Sequence, residues 1–206
     1  MSQFGFNSSQ MFEFFKVLDQ DLLLYINGNH MEFLDTVMWW LSSKFLWVPM
    51  YLFMVYYLFK HFGKWAALAL VALFFVNFGL SDYFSGHVIR NLIARPRPSN
   101  PENIISPLIH LVNNYHGGAY GFPSSHATNS MSLALLYTLI VRNKWAAYLL
   151  FSWSFIHSYT RIYLGVHYPS DIITGWCLGA LIALFVYSLY RGLTNPRIKW
   201  SSLRLF

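Results

Sequence analysis

Residues 65–89 run for 25 positions with Asp82 as their only formally charged side chain, and residues 170–190 repeat the pattern with only Asp171. A helix that crosses a bilayer needs roughly 17–25 predominantly apolar residues. Both runs meet that requirement, and segments near 45–60, 126–141 and 145–163 approach it. The 126–141 segment is short but sharply bounded, by Pro123 before it and by Arg142, Asn143 and Lys144 after it. The whole chain is 56% hydrophobic and 11% charged, where soluble domains carry about 25% charged residues. So few charges cannot cover a globular surface in water. The expected fold class is all-α: a polytopic transmembrane helix bundle of five to six spans.

Two earlier segments, about 11–27 and 31–43, are apolar but interrupted by Glu13, Lys16, Asp19, Asp21, Glu32 and Asp35. They read as amphipathic helices lying in the interface, and the sixth span would come from this region. The expected organisation is an interfacial segment 1–43, a transmembrane domain 44–191 and a basic cytoplasmic tail 192–206. Met1 to Gln10 lack a basic region followed by an apolar core, so no cleavable signal peptide is expected. The single Cys177 excludes an internal disulfide and reads as a small core residue.

Charge orients the bundle. With five spans, Lys60, Lys64, Arg142, Lys144, Arg191, Arg197, Lys199 and Arg204 share one face, and all eight acids lie toward the other. Cytoplasmic loops carry the excess of Lys and Arg, which puts the C-terminus in the cytoplasm of an inner (plasma) membrane protein. Arg90, Arg95, Arg97 and Arg161 fall on the opposite, periplasmic face. Charges placed against the rule call for a functional reason.

Three stretches reach that face: Arg90 to Pro98, Gly121 to His126, and Thr160 to Asp171. Converging guanidiniums suit a phosphate, because arginine offers planar paired donors and permanent charge. A helix opening at Pro123-Ser124-Ser125-His126 adds free N–H groups and the positive end of the helix dipole. His167 and Asp171 are four residues apart. A carboxylate there can hold one ring nitrogen and leave the other to attack. His126 offers a second imidazole suited to protonating a leaving oxygen. His157 reads as a packed residue, His61 as a cytoplasmic loop residue, and His87 as supporting or structural.

These residues resemble the signature of the type 2 phosphatidic acid phosphatases, the PAP2 family: Lys-x6-Arg-Pro, Pro-Ser-Gly-His and Ser-Arg-x5-His-x3-Asp. The matching positions are Arg90 with Arg97-Pro98, then Pro123-Ser124-Ser125-His126, then Thr160-Arg161 with His167 and Asp171. Arg90 stands for Lys, Ser125 for Gly and Thr160 for Ser. The resemblance implies a two-step hydrolysis in which His167 becomes a phosphohistidine, Asp171 stabilises its imidazolium and His126 protonates the leaving group. Arg90, Arg97, Arg161, Ser124 and Ser125 would hold the phosphoryl oxygens. No metal, cofactor, nucleic acid or obligate protein partner is implied, only a lipid phosphate in the bilayer. Arg95 lies outside the matching positions, to steer anionic head groups or sit in water. The expected substrate is undecaprenyl diphosphate, ahead of phosphatidylglycerophosphate or lipid A. A transporter of anions would place its charges near mid-bilayer, often at broken spans, and a metal hydrolase would pair histidines on one helix.

Overall fold

The computed structural model describes residues 7–194, all helix and connecting loops, with one isolated antiparallel bridge between Pro96 and Tyr120. The basic tail beyond Thr194, including Arg197, Lys199, Trp200 and Arg204, lies outside the described residues.

Helix α1 (Ser8–Gly28) opens on a capping box in which the Asn7 side chain accepts from the Gln10 N–H and Gln10 answers to the Asn7 N–H. Helix α2 (Glu32–Ser42) follows, then a 3-10 turn at Lys44–Trp47 and α3 (Val48–Phe62). Helices α4 (Lys64–Tyr83) and α5 (Ile89–Ile93) are joined through a π-turn at Phe84–Val88 into one rod of 30 residues. Helix α6 (Ser125–Val141) ends at Arg142, whose φ of 53° reverses the chain. Asn143 then caps α7 (Lys144–Tyr163) by accepting from the N–H groups of Trp145 and Ala146. Helix α8 (Pro169–Thr194) closes the bundle.

Helix α6 sits at the centre, against α4, α7 and α8. Its partner α8 approaches closely because Gly175 and Gly179 face it. A Cβ on Gly179 would stand 2.3 Å from the Thr128 carbonyl oxygen, and one on Gly175 2.8 Å from that of Ser124. Small residues four apart bring helix backbones together where no hydrophobic effect does so. Between α4 and α6 the buried Asn77 and Ser81 both bond Ser132 Oγ, at 2.6 and 2.8 Å. Large apolar side chains such as Phe75, Leu181 and Phe185 are exposed on the outside, the inversion expected of a surface solvated by lipid.

Two helices among the described residues combine the length and hydropathy of a membrane span, Lys64–Ile93 and Pro169–Thr194. Both outrun the expected segments. Helix α3 has 15 residues, and α7 carries His157 and Arg161. Cys177 corrects the sequence expectation: it is exposed, not core. Gly175 and Gly179 turn their own face of α8 inward, and a residue two positions from each points the other way.

Candidate active site

The three sequence stretches converge at one end of the bundle. The bridge at Pro96 and Tyr120 pins the first to the second, with Arg97 N–H donating to Ala119 and Gly121 N–H to the Arg95 carbonyl. The Ser124 N–H donates to the Asp171 carbonyl at 3.0 Å and joins the second to the third. Gly121 fits because it has no side chain: a Cβ would lie 3.1 Å from Arg97 Cγ and 3.2 Å from Asp171 Oδ2.

His167 lies fully buried in the turn between α7 and α8. Gly165 makes that turn at a φ of +70°, where any side chain would also strike Ile109. The His167 Nδ1 faces Asp171 Oδ2 at 3.3 Å, and its Nε2 lies 3.0 Å from Arg97 Nη1. A guanidinium has only donors, so Nε2 carries the lone pair and Nδ1 the proton. That is the tautomer a nucleophile needs. Burial, followed by the charges of Arg97, Arg161 and Arg90, pushes the His167 pKa well below the usual histidine value, so the ring is neutral at pH 7. Arg97 is pulled down to about 10 by burial and by Arg161 and Arg90, and remains a cation. It also donates to the Tyr120 and Val166 carbonyls.

Around this nitrogen stand donors with spare capacity. Ser124 is the N-cap of α6, yet its hydroxyl makes no cap bond and, among the described residues, is buried without a partner. N-cap serines normally bond the first turn, and buried hydroxyls normally find acceptors. Here an anion at the helix N-terminus would supply one. The Ser124 N–H is already taken by Asp171, so the free backbone donors belong to the first turn of α6. Arg90 and Arg161 each leave Nε buried and, among the described residues, unpartnered. Arg161 is otherwise held by Ser42 Oγ, from the end of α2, and by Tyr115 OH at 3.2 Å.

Two of the three departures from the family pattern touch each other. Arg90 Nη2 donates to Ser125 Oγ at 2.7 Å, and Ser85, in the π-turn, donates to the same oxygen at 3.0 Å. The added serine side chain therefore anchors the longer arginine. Thr160 points its hydroxyl at the His157 carbonyl, 2.7 Å away within α7.

Arg95 corrects the sequence expectation that it steers head groups or sits in water. It donates to Asp171 Oδ1 at 2.8 Å and to Asp19 Oδ2 at 2.7 Å, and stacks over Tyr168 at 3.8 Å. Asp19, on α1, also accepts from the N–H of Ser170 at 2.8 Å. Asp171 accepts from the Tyr168 N–H at 3.0 Å as well. Arg95 thus fixes one Asp171 oxygen and leaves Oδ2 toward His167. Asp19, Ser42 and Tyr115 were not legible as site residues, and Arg95 was legible only as a charge on the unexpected face, not as the partner of Asp171. Asp19 gave one signal, an acid in an apolar helix.

His126 occupies the first turn of α6 and, among the described residues, makes no side-chain hydrogen bond. It opens, with Ser125, Asn129 and His157, onto a cavity of about 540 Å³ that runs between α3, α4, α6 and α7 past Leu58, Val71 and Tyr137. From Ser125 to Tyr137 that path follows α6 for about 18 Å at 1.5 Å per residue.

The pattern that defines the PAP2 superfamily matches residues 65–194, the helices that carry this site. The chain belongs to the PAP2 superfamily. It is similar to the lipid A 4'-phosphatase of Bacteroides thetaiotaomicron, 40% identical over 184 residues that cover 89% of this chain and 82% of that one. It is also similar to the undecaprenyl-diphosphatase of Sulfolobus acidocaldarius, 30% identical over 79% of this chain and 74% of the relative. Among solved structures, the transmembrane PAP2-type phosphatidylglycerolphosphate phosphatase of Bacillus subtilis shares the fold, with a TM-score of 0.67 at 19% identity over 88% of this chain and 89% of that one. This PAP2 protein is a membrane lipid phosphatase.

Proposed function

We propose that this PAP2 phosphatase removes the 4'-phosphate of lipid A through a phosphohistidine at His167, at the periplasmic face of the inner membrane. One observation carries the chemistry: the lone pair of His167 Nε2 points into the arginine cluster. The phosphate displaces Arg97 from that nitrogen and takes donors from Arg90, Arg97, Arg161, Ser124 and the first turn of α6, beginning at Ser125. His167 Nε2 attacks phosphorus, and Asp171 Oδ2 stabilises the imidazolium across Nδ1–H. His126 gives its proton to the leaving sugar oxygen. Water then attacks phosphorus, returns a proton to His126, and phosphate leaves. Arg90, Arg97 and Arg161 supply the charge stabilisation that dominates phosphoryl transfer, while Arg95 is committed to Asp171 and Asp19.

The substrate reading departs from the expectation of undecaprenyl diphosphate. The lipid A 4'-phosphatase relative is 40% identical against 30% for the undecaprenyl-diphosphatase, and that difference supports lipid A. The cavity beside His126 supports a leaving group with an acyl chain, which it takes up along α6. Helices α3, α4–α5, α6, α7 and α8 cross the membrane in this reading, with residues 1–43 in the interface and 192–206 in the cytoplasm. Phosphate release from a panel of purified lipids tests the assignment. Lipid A carrying a 4'-phosphate should give the highest kcat/KM. A higher value for undecaprenyl diphosphate or phosphatidylglycerophosphate refutes it.

A further inference from the structure

His167 has an aspartate to orient it, whereas His126 has no acidic partner within hydrogen-bonding reach among the described residues. What lies beside it is a third imidazole. The ring centres of His126 and His157 are 5.3 Å apart with a 41° tilt; the rings are not hydrogen-bonded to each other in this structure, but they are close enough for a ring rotation to close one N–H···N bond. His157 is buried on α7, one turn before Arg161. It stacks on Trp153 at 5.7 Å and meets Trp47 edge-on. Its Nδ1 lies 3.1 Å from the Leu41 carbonyl oxygen. A carbonyl only accepts, so Nδ1 carries the proton and Nε2 is an acceptor. Among the described residues no protein group donates to that nitrogen.

We propose that His157 is the positioning residue for His126: its Nε2 accepts the ring N–H of the His126 imidazolium that faces away from the substrate. The inference rests on the reading of His126 as general acid. As the bond between phosphorus and the lipid oxygen breaks and the bond from His167 Nε2 forms, His126 protonates that oxygen. It becomes neutral and keeps its other N–H on His157. The water of the second step restores the transferred proton as it attacks phosphorus and the bond to His167 breaks. A carboxylate in the place of His157 would pair with Arg161, one turn away, and withdraw a cation from the phosphate. A neutral acceptor leaves Arg161 available.

The other charged or titratable groups around the pair are Arg97, Arg161 and His167 at the site, and Lys44, Asp82, Tyr51 and Tyr137 along the cavity. Asp82 already accepts from Asn129 at 3.1 Å.

Replacing His157 by Phe removes the acceptor, and by Gln retains one. With the lipid substrate, whose leaving alkoxide needs a proton, His157→Phe should lower kcat by about 10–100-fold, a share of what general acids contribute. With p-nitrophenyl phosphate, whose leaving group departs without help, the loss should stay below about 3-fold. The alkaline limb of the kcat profile should move to lower pH, because His126 loses the partner that holds its proton, and His157→Gln should restore it in part. In a His126→Ala background, His157→Phe should add nothing further. Equal losses on both leaving groups, an unmoved alkaline limb, or a limb that shifts only in Asp82→Asn would overturn the proposal. Absence of phosphorylated His167 in the wild-type protein would instead refute the phosphohistidine reading, and leaves these arms to be scored on their own.

Discussion

Arg90 and Ser125 should behave as one unit. The perturbation is a double-mutant cycle, Arg90→Lys, Ser125→Gly and the pair together, which restores the family's residues at both positions. Arg90 donates from one guanidinium nitrogen to Ser125 Oγ at 2.7 Å and to the Pro123 carbonyl at 3.3 Å. A hydrogen bond to a charged group contributes about 1.5–3 kcal/mol. A lysine ammonium is a single point and cannot keep this fork while reaching phosphate. Arg90→Lys alone should therefore lower kcat/KM by roughly 10–100-fold, since about 1.4 kcal/mol is one decade. Ser125→Gly frees the same guanidinium and should cost roughly tenfold, with Ser85 losing a partner too. Each single change breaks the same contact, so the double variant should recover about 1–2 kcal/mol relative to the sum. The assay is phosphate release from detergent-solubilised lipid substrate, with thermal unfolding of each variant as the control for folding. Additivity within about 0.5 kcal/mol would mean that the contact has no part in phosphate binding.

Arg95→Ala leaves the buried Asp171 carboxylate unpaired and should lower stability by about 3 kcal/mol, with a fall in kcat. Arg95→Lys should recover part of both, and an unchanged Tm would refute the positioning reading. Because burial and three arginines depress the His167 pKa, its ring should stay neutral at pH 7 and titrate only well below the ordinary histidine range. An NMR titration midpoint near 6.5 would sink that claim. Excess chelator should leave phosphate release unchanged while vanadate inhibits; activity lost in chelator and regained with a divalent ion would favour a metal hydrolase. For orientation, a cysteine at the exposed Ile104, on a Cys177→Ser background because Cys177 is itself exposed, should react with an impermeant maleimide in intact cells. Labelling only after lysis would invert the topology.

The membrane, the helical class and the neighbourhood of His167 were all legible in the sequence, because they depend on composition and on short spacings. Apolar run length is a property of consecutive residues. So is the His167-to-Asp171 interval, which one helical start brings to a single face, and so is the opening of α6 at Ser124. The sequence also carried the family through three motifs. What it could not carry were partners chosen across the fold. Asp19 and Arg95 are separated by 76 positions and Ser42 and Arg161 by 119. Their meeting depends on how α1 and α2 fold back over the turn that carries His167, which no local pattern specifies. The same holds for His157, unremarkable on its own helix until α6 brings His126 beside it. The departures at Arg90 and Ser125 looked independent in sequence. Packing of the π-turn of α4 against the start of α6 is what makes them a pair: a side-chain hydrogen bond acts over about 3 Å, and only tertiary structure decides which distant residues come that near.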